Sequence, residues 1–364
     1  MIVQDVIDHL EDLSPLSYAE DFDNVGLLVG NKFNAVKGIL VTLDTLESVV
    51  DEAIDNDCNL IVSFHPILFK GLKQLTGKTY VERVVMKAIK HEISIFAIHT
   101  ALDNALQGVN HMICEKLGLI NTKILIPQAG TIKKLTTYVP KKEADVLREA
   151  LFKAGAGNIG NYSNCSFSSE GLGSFKPNED ANPSIGSKGE LHFEEEVKLS
   201  MTFAKHLESK ILQTLFKTHS YDEVAYEITN LDNKNQNIGM GMIGELESEM
   251  DAMSFLNQVK DQMKSSCVRH SEALQKPVKK VAVLGGSGSF AIEAAKAAEV
   301  DAFITADLKY HDFFAADNSI LLADIGHYES EQYTKNLLVA YLTKKIPNFA
   351  IILSQTNTNP VKYL

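Results

Sequence analysis

The chain has 364 residues, 45% of them hydrophobic and 23% charged, which suits a soluble globular protein of about two or three domains. Its net charge of −12 argues against a broad nucleic-acid-binding face, although a local basic patch stays open. Cys58, Cys114, Cys165 and Cys267 stand far apart without CxxC spacing, so a reducing, cytoplasmic setting is expected rather than a disulfide frame or a cysteine zinc site.

Residues 2–13 read as an amphipathic acidic helix, not a signal peptide, with Val3, Val6, Ile7 and Leu10 on one face. No stretch is apolar over about 18 residues, so no membrane span is expected. A polar loop, AEDFDNVG, leads into a short strand at 27–29. Strands are then predicted at 38–44, 60–64 and 93–98, with helices at 47–56 and 80–91 between them. That alternation predicts parallel strands with right-handed crossovers. It returns near the C-terminus: strand 279–284, helix 289–298, strand 302–305, strand 320–323 and a helical segment from Glu329 to about Leu342.

The middle of the chain differs. Strands at 135–139, 197–203 and 223–228 and helices at 141–154 and 204–216 form two β-α-β passes, which suggest an α+β ferredoxin-like module. Residues 163–189, rich in Ser, Gly, Asn and Pro, read as a long loop, and 236–246 as a return strand. The expected class is therefore α/β. An outer domain, 1–129 with 236–364, carries a mainly parallel sheet and flanking helices, and a module at 130–235 is inserted into it.

Ligand-type residues come after four predicted strands of the outer domain. His65-Pro66 comes after LIVSF, and His99 and Asp103 after ISIFAI. Asp307, Lys309 and His311 come after AFIT, and His327 and Glu331 after ILLADIG. Parallel strands of one sheet bring their carboxyl ends to one edge, so these distant residues can meet. On a helix the four-residue spacing of His327 and Glu331 puts both on one face, able to share a divalent ion. Nitrogen and hard-oxygen ligands suit zinc, manganese or iron(II). Each histidine taken singly is more simply a hydrogen-bonded loop residue; the coincidence at four strand ends favours a metal site. The run from Gly285 to Ser289, including Gly286 and Ser287, could offer amides to a phosphate, or be only a tight turn, since it fits neither the Walker pattern nor GxGxxG. Lys309 is a candidate anion-binding residue, whereas Lys70, Lys73 and Lys78 read as solvated surface.

The segments SFHPILFKGLKQLT, AIHTALDNALQGVN, ITADLKYHDF and ADIGHYESE resemble, in order, the signatures of the GTP cyclohydrolase I type 2 homologues, or Nif-three-like proteins. AEDFDNVGLLVG and VAVLGGSGS match that pattern too. The resemblance implies two divalent ions held by His65, Asp103, His327 and Glu331, with Glu331 bridging. His99 and His311 would line the same pocket as candidates for proton transfer. It also implies a toroidal homohexamer and an inserted module like the metal-tolerance and nitrogen-regulatory trimer folds. One departure stands out: Phe64 occupies the first of two positions where the family has adjacent histidines. Phenylalanine cannot ligate, so one tight ion, on His65, Asp103 and Glu331, and one weaker ion, mainly on His327, are expected per chain, with zinc the first choice. Two functions are compatible with this reading: a metal-dependent hydrolase acting on a nucleotide-like or phosphorylated small molecule, or a non-catalytic metal scaffold or chaperone with a protein partner.

Overall fold

A computed structural model describes residues 1–364. In chain order the elements are α1 (Val3–Leu13), β1 (Gly26–Val29), β2 (Ile39–Thr42), α2 (Glu47–Asp55), β3 (Leu60–Ser63), α3 (Tyr80–Lys90), β4 (Ser94–Ala97), α4 (His99–Asp103), α5 (Val109–Lys116) and β5 (Ile120–Gln128). Then come β6 (Ile132–Pro140), α6 (Ala144–Ala154), β7 (Phe167–Phe175), β8 (His192–Ala204), α7 (Glu208–Thr218) and β9 (Tyr226–Leu231). The chain continues through β10 (Asn235–Met250), α8 (Ala252–Gln262), β11 (Arg269–His270), β12 (Val278–Ser287), α9 (Ile292–Ala297), β13 (Ala302–Ala306), β14 (Leu321–Asp324), α10 (His327–Glu331), α11 (Thr334–Lys345) and β15 (Ile351–Leu353). No helix is long and apolar enough to cross a membrane.

The chain forms two compact units, Met1–Ile126 with Asn237–Leu364, and Pro127–Gln236. The first unit holds two sheets where one was expected. The first sheet runs β1-β4-β3-β2-β15 and the second β11-β14-β13-β12-β10-β5. β2, β3 and β4 are parallel, as are β12, β13 and β14. β1 and β11 close the matching edges antiparallel to β4 and β14. One core lies between the sheets, where Val41, Val62 and Phe96 of the first and Val283, Ile304 and Ala323 of the second pack with Leu10, Ile113, Phe255 and Leu342 of the helices. Separate cores cover the outer faces, against α2 and α3 on one sheet and α9 on the other. Both faces are thus dry, which explains why these strands read as unbroken apolar runs.

The second unit has the order β-α-β-β-α-β and an antiparallel sheet, β7-β8-β6-β9. Leu135, Leu199, Phe203, Leu147 and Ile211 fill its core. The expected loop at 163–189 contains β7, which pairs with β8 from Phe167↔Ser200 to Phe175↔His192. Its sequence, FSSEGLGSF, has two glycines and no apolar alternation; the neighbouring strand supplies the order that local propensity lacks. The expected return strand at 236–246 is part of β10, which pairs with β12 in the first unit (Met242↔Val283). The helix expected from Glu329 to Leu342 divides into α10 and α11.

Candidate metal centre

Sheet register sets the cluster. Thr42, Ser63 and Ala97 stand side by side across β2, β3 and β4, and Asp44, His65 and His99 each come two residues later. In the second sheet Thr305 is paired with Asp324, and Asp307 and His327 come shortly after them. The residues therefore gather from two sheet edges facing each other across a shared core.

Each imidazole is fixed by a carboxylate. His65 Nδ1 lies 2.8 Å from Asp44 Oδ1, His99 Nδ1 2.9 Å from Asp23 Oδ1, and His327 Nδ1 2.7 Å from Asp307 Oδ2. With Nδ1–H donated to a carboxylate, Nε2 is left as the bare, more basic nitrogen, the arrangement that orients a metal-binding histidine. Nε2 of His65 and of His327 lie 3.1 and 3.2 Å from Glu331 Oε2. Asp103 Oδ1 is buried without a hydrogen-bond partner, and Glu331 Oε2 meets only these two imidazoles. The ligand atoms of His65, His327 and Glu331 all fall within 4.8 Å of one another. Buried carboxylate oxygens that meet only imidazole nitrogens, or nothing, are costly unless protons or a cation join them. The residues present therefore fit a divalent metal.

The electrostatics agree. Burial pushes the His65 and His327 imidazoles down, but hydrogen bonds to Asp44 and Glu331, and to Asp307 and Glu331, lift them to about 10 and about 11. Burial likewise raises Glu331, yet the two imidazoles hold it down at about 2. Asp103 goes the other way: burial, then the Glu331 charge, raises it well above the carboxylate range. Asp23 is held at about 2 because His99 and Thr100 outweigh its burial. Protons take up the demand for positive charge that a metal would meet.

The supporting shell is also built in. Gly286 has φ +68° and an added Cβ would run into the Glu331 carboxylate and press on His327, so glycine makes room for the shared ligand. Its amide donates to Ser330 Oγ at 2.9 Å and the Gly285 amide to Asn110 Oδ1 at 3.0 Å. Both are spent on the scaffold rather than held out toward a phosphate. Ser287 is exposed. His99 has φ +24° and Asp307 +57°, unusual backbone for such residues. On the far side of Asp44, Thr358 Oγ1 donates to Oδ2 at 2.5 Å, and Asn359 Nδ2 to Glu329 Oε1 at 3.0 Å. A cavity of about 410 Å³ adjoins the centre, lined by His65, His327, Asp307, Arg269, Tyr328 and Tyr363 among others.

His65, Asp103, His327 and Glu331 are thus brought together, and His99 joins them, its ring 5.1 Å from that of His65. His311 is not: it is exposed, its rings in contact being Tyr310 and Phe314. Lys309 is exposed and its backbone caps on Asp312. Phe64 is fully buried, 4.9 Å from the His65 ring and 5.5 Å from that of His99. The missing imidazole therefore faces His99, not His327, and the tight grouping is His65, His327 and Glu331 rather than His65, Asp103 and Glu331. Asp23 and Asp44 carry functions the sequence did not single out. Asp44 ends a strand just as the other site residues do, and that signal was available; Asp23 sits in a loop with no such mark.

The family model for Duf34/NIF3 (NGG1p interacting factor 3) matches residues 1–360. A GTP cyclohydrolase 1 type 2 homolog of Bacillus subtilis (strain 168) is 40% identical over 370 residues, covering 99% of this chain and 98% of that protein. The crystal structure of a Bacillus cereus protein related to NIF3 matches with a TM-score of 0.86 at 36% identity, covering 100% of this chain and 99% of that one. A Staphylococcus aureus protein matches with a TM-score of 0.79 at 30% identity, covering 100% of this chain and 99% of that one. With the motifs, the fold and the clustered ligand set on one scaffold, the chain belongs to the Duf34/NIF3 family of GTP cyclohydrolase 1 type 2 homologs.

Proposed function

We propose that the protein is a metal-dependent hydrolase acting on a nucleotide-like or otherwise phosphorylated small molecule. The observation that carries this reading is the convergence of two imidazole Nε2 atoms on one buried Glu331 oxygen, at 3.1 and 3.2 Å, beside a cavity of about 410 Å³. Zinc is the proposed metal, with manganese or iron(II) as alternatives, and the ligands are His65, His327, Glu331 and Asp103. A divalent ion held there would lower the pKa of a water it binds and polarise the bond under attack. His99, fixed through Nδ1 by Asp23, has Nε2 free to take or give a proton. It is better placed for that role than His311. Nothing around the cavity selects guanine, so the name of the relatives does not carry the substrate.

A metal scaffold or chaperone is the second reading. One observation favours it: Asp44, Asp307, Asp324 and Glu329 line the cavity, and Arg269, its one arginine or lysine, is already paired with Asp324, which disfavours an anionic substrate. Screening the metal-loaded protein against nucleotides and phosphoesters, with His65→Ala as control, separates the two. Turnover that His65→Ala abolishes supports the hydrolase; no turnover with full metal occupancy supports the scaffold. The proposed assembly is a homohexamer. Tyr310, Phe314 and Phe290, 73%, 66% and 61% exposed, supply apolar surface for it. Light scattering should give a multiple of three chains, and a clean monomer at micromolar concentration refutes it.

A further inference from the structure

A second cavity, about 510 Å³, lies wholly within the second unit. Leu135, Val139, Val197 and Leu199 point into that unit's core. By strand alternation Tyr138, next to Val139, and Glu196, next to Val197, stand on the opposite face of the sheet, where the cavity opens. Tyr138, Phe175 and Tyr221 supply aromatic walls. Glu196, Asp222 and Glu223 supply carboxylates, against Lys176 in the lining and Lys198, whose Nζ lies 5.9 Å from the Tyr138 ring.

The pocket is preformed. Asp222 Oδ2 accepts from the Asn182 amide at 2.8 Å, which ties the covering loop to the Tyr221 turn. The same loop is closed on itself by Gly189 N donating to Pro177 O at 2.8 Å and by Lys188 Nζ donating to Glu179 O at 2.7 Å. Glu196 leans over Gly173, where a Cβ would collide with its carboxylate. Its Oε1 accepts from the Tyr221 hydroxyl at 2.7 Å. Burial, then Glu196, then Glu194 and Glu143, push the Tyr221 phenol well above its ordinary pKa, so it stays a donor. That bond uses one Glu196 oxygen and leaves Oε2 and the whole Glu223 carboxylate to meet a ligand.

Aromatic faces and carboxylates both attract ammonium cations. The volume falls in the range of small-molecule sites, roughly 300–1,000 Å³. A bare metal ion would want a tight oxygen shell, which ring walls do not give. We propose that this cavity binds a small organic cation, a primary or quaternary ammonium carried on an aromatic or short apolar body. The site is independent of the metal centre and of the reaction proposed for it.

The test is calorimetric titration of the intact, metal-loaded protein with three matched phenols: tyramine, its neutral analogue tyrosol and its anionic analogue 4-hydroxyphenylacetate. Tyramine should bind saturably, tyrosol about tenfold more weakly, and the anion not at all. Glu196→Gln should weaken tyramine about tenfold, and exposed Glu223→Gln several-fold, with melting temperature and metal content unchanged. Chelation of the metal should leave tyramine binding intact. Equal affinity for all three phenols, preference for the anion, no tyramine binding at millimolar concentration, indifference to both substitutions, or loss of binding on chelation would each overturn the proposal.

Discussion

The first unit contains two halves that can be laid against each other. Ile39–Asp103 and Val278–Glu331 each run through three parallel strands and end in a one-turn helix. Each helix carries an imidazole and a carboxylate four residues apart, His99 with Asp103 on α4 and His327 with Glu331 on α10. The halves differ at the end of their first strand. β2 leads to a charge, Asp44, which fixes His65; β12 ends in glycines, which clear space for Glu331. They also differ in which carboxylate is central. Glu331 faces an imidazole from each half, whereas Asp103 has Phe64 packed against its helix partner His99. Matching backbones thus give each half a ligand-bearing helix, and the residues at the other strand ends decide that one half supplies the shared ligand while the other supplies most of its surroundings.

Removing the shared ligand should have the largest effect. Glu331→Ala is expected to cut metal affinity by more than about 100-fold, beyond what loss of a supporting carboxylate costs. Asp103→Ala should do less, and elemental analysis of both variants reads the difference. Wild-type metal content in both would dissolve the comparison, because neither helix would then be holding an ion.

Next come the carboxylates behind the imidazoles. Asp44→Asn and Asp307→Asn should each weaken binding by about 10- to 100-fold, since each frees one histidine to rotate or change tautomer. Similar losses would show that the halves support their histidines equally. A silent Asp307→Asn, measured by competition with a chromophoric chelator, would leave the first half alone in that role.

Phe64 sharpens the asymmetry. Wild-type apo protein should titrate with one tight and one weak ion per chain. Phe64→His, which adds an imidazole on the His99 side, should tighten the weak site by about tenfold, the equivalent of one added ligand contact of about 1.4 kcal/mol. Two equal, tight sites in the wild type would mean that His99 already completes the second shell.

The smallest effect is expected at Thr358. Thr358→Val keeps shape but deletes the bond to Asp44, a net loss of about 0.5–1.5 kcal/mol. Metal affinity should fall only a few-fold, and an unchanged value would detach the C-terminal segment from the His65 half.

Much of this is legible in the sequence. The apolar runs of β2, β3, β4 and β14 announce strands buried on both faces, and the polar residues just past them announce the site. The split into two sheets is not legible, because a parallel strand's pattern says that it has neighbours and not which ones. Nor is β7 legible, since its order comes from β8. The departure at Phe64 is visible in the sequence, but the side it faces is not: ring orientation depends on how the chain turns at Pro66, which spacing does not encode. His311 looks equivalent to His99 by motif, yet it lies farther beyond the end of β13 and turns outward beside Tyr310.

The Asp44–Thr358 bond has a consequence for how the protein is made. Asp44, Phe64, His65, His99 and Asp103 all emerge early from the ribosome. Glu331 comes roughly 15–50 s after His65 at ordinary rates of synthesis, and Thr358 later still. β15, which pairs with β2, comes between them. Until then the nascent chain displays an acidic sheet edge with one wall missing. The cluster is therefore completed late in synthesis, when Glu331 and then Thr358 join strands made long before.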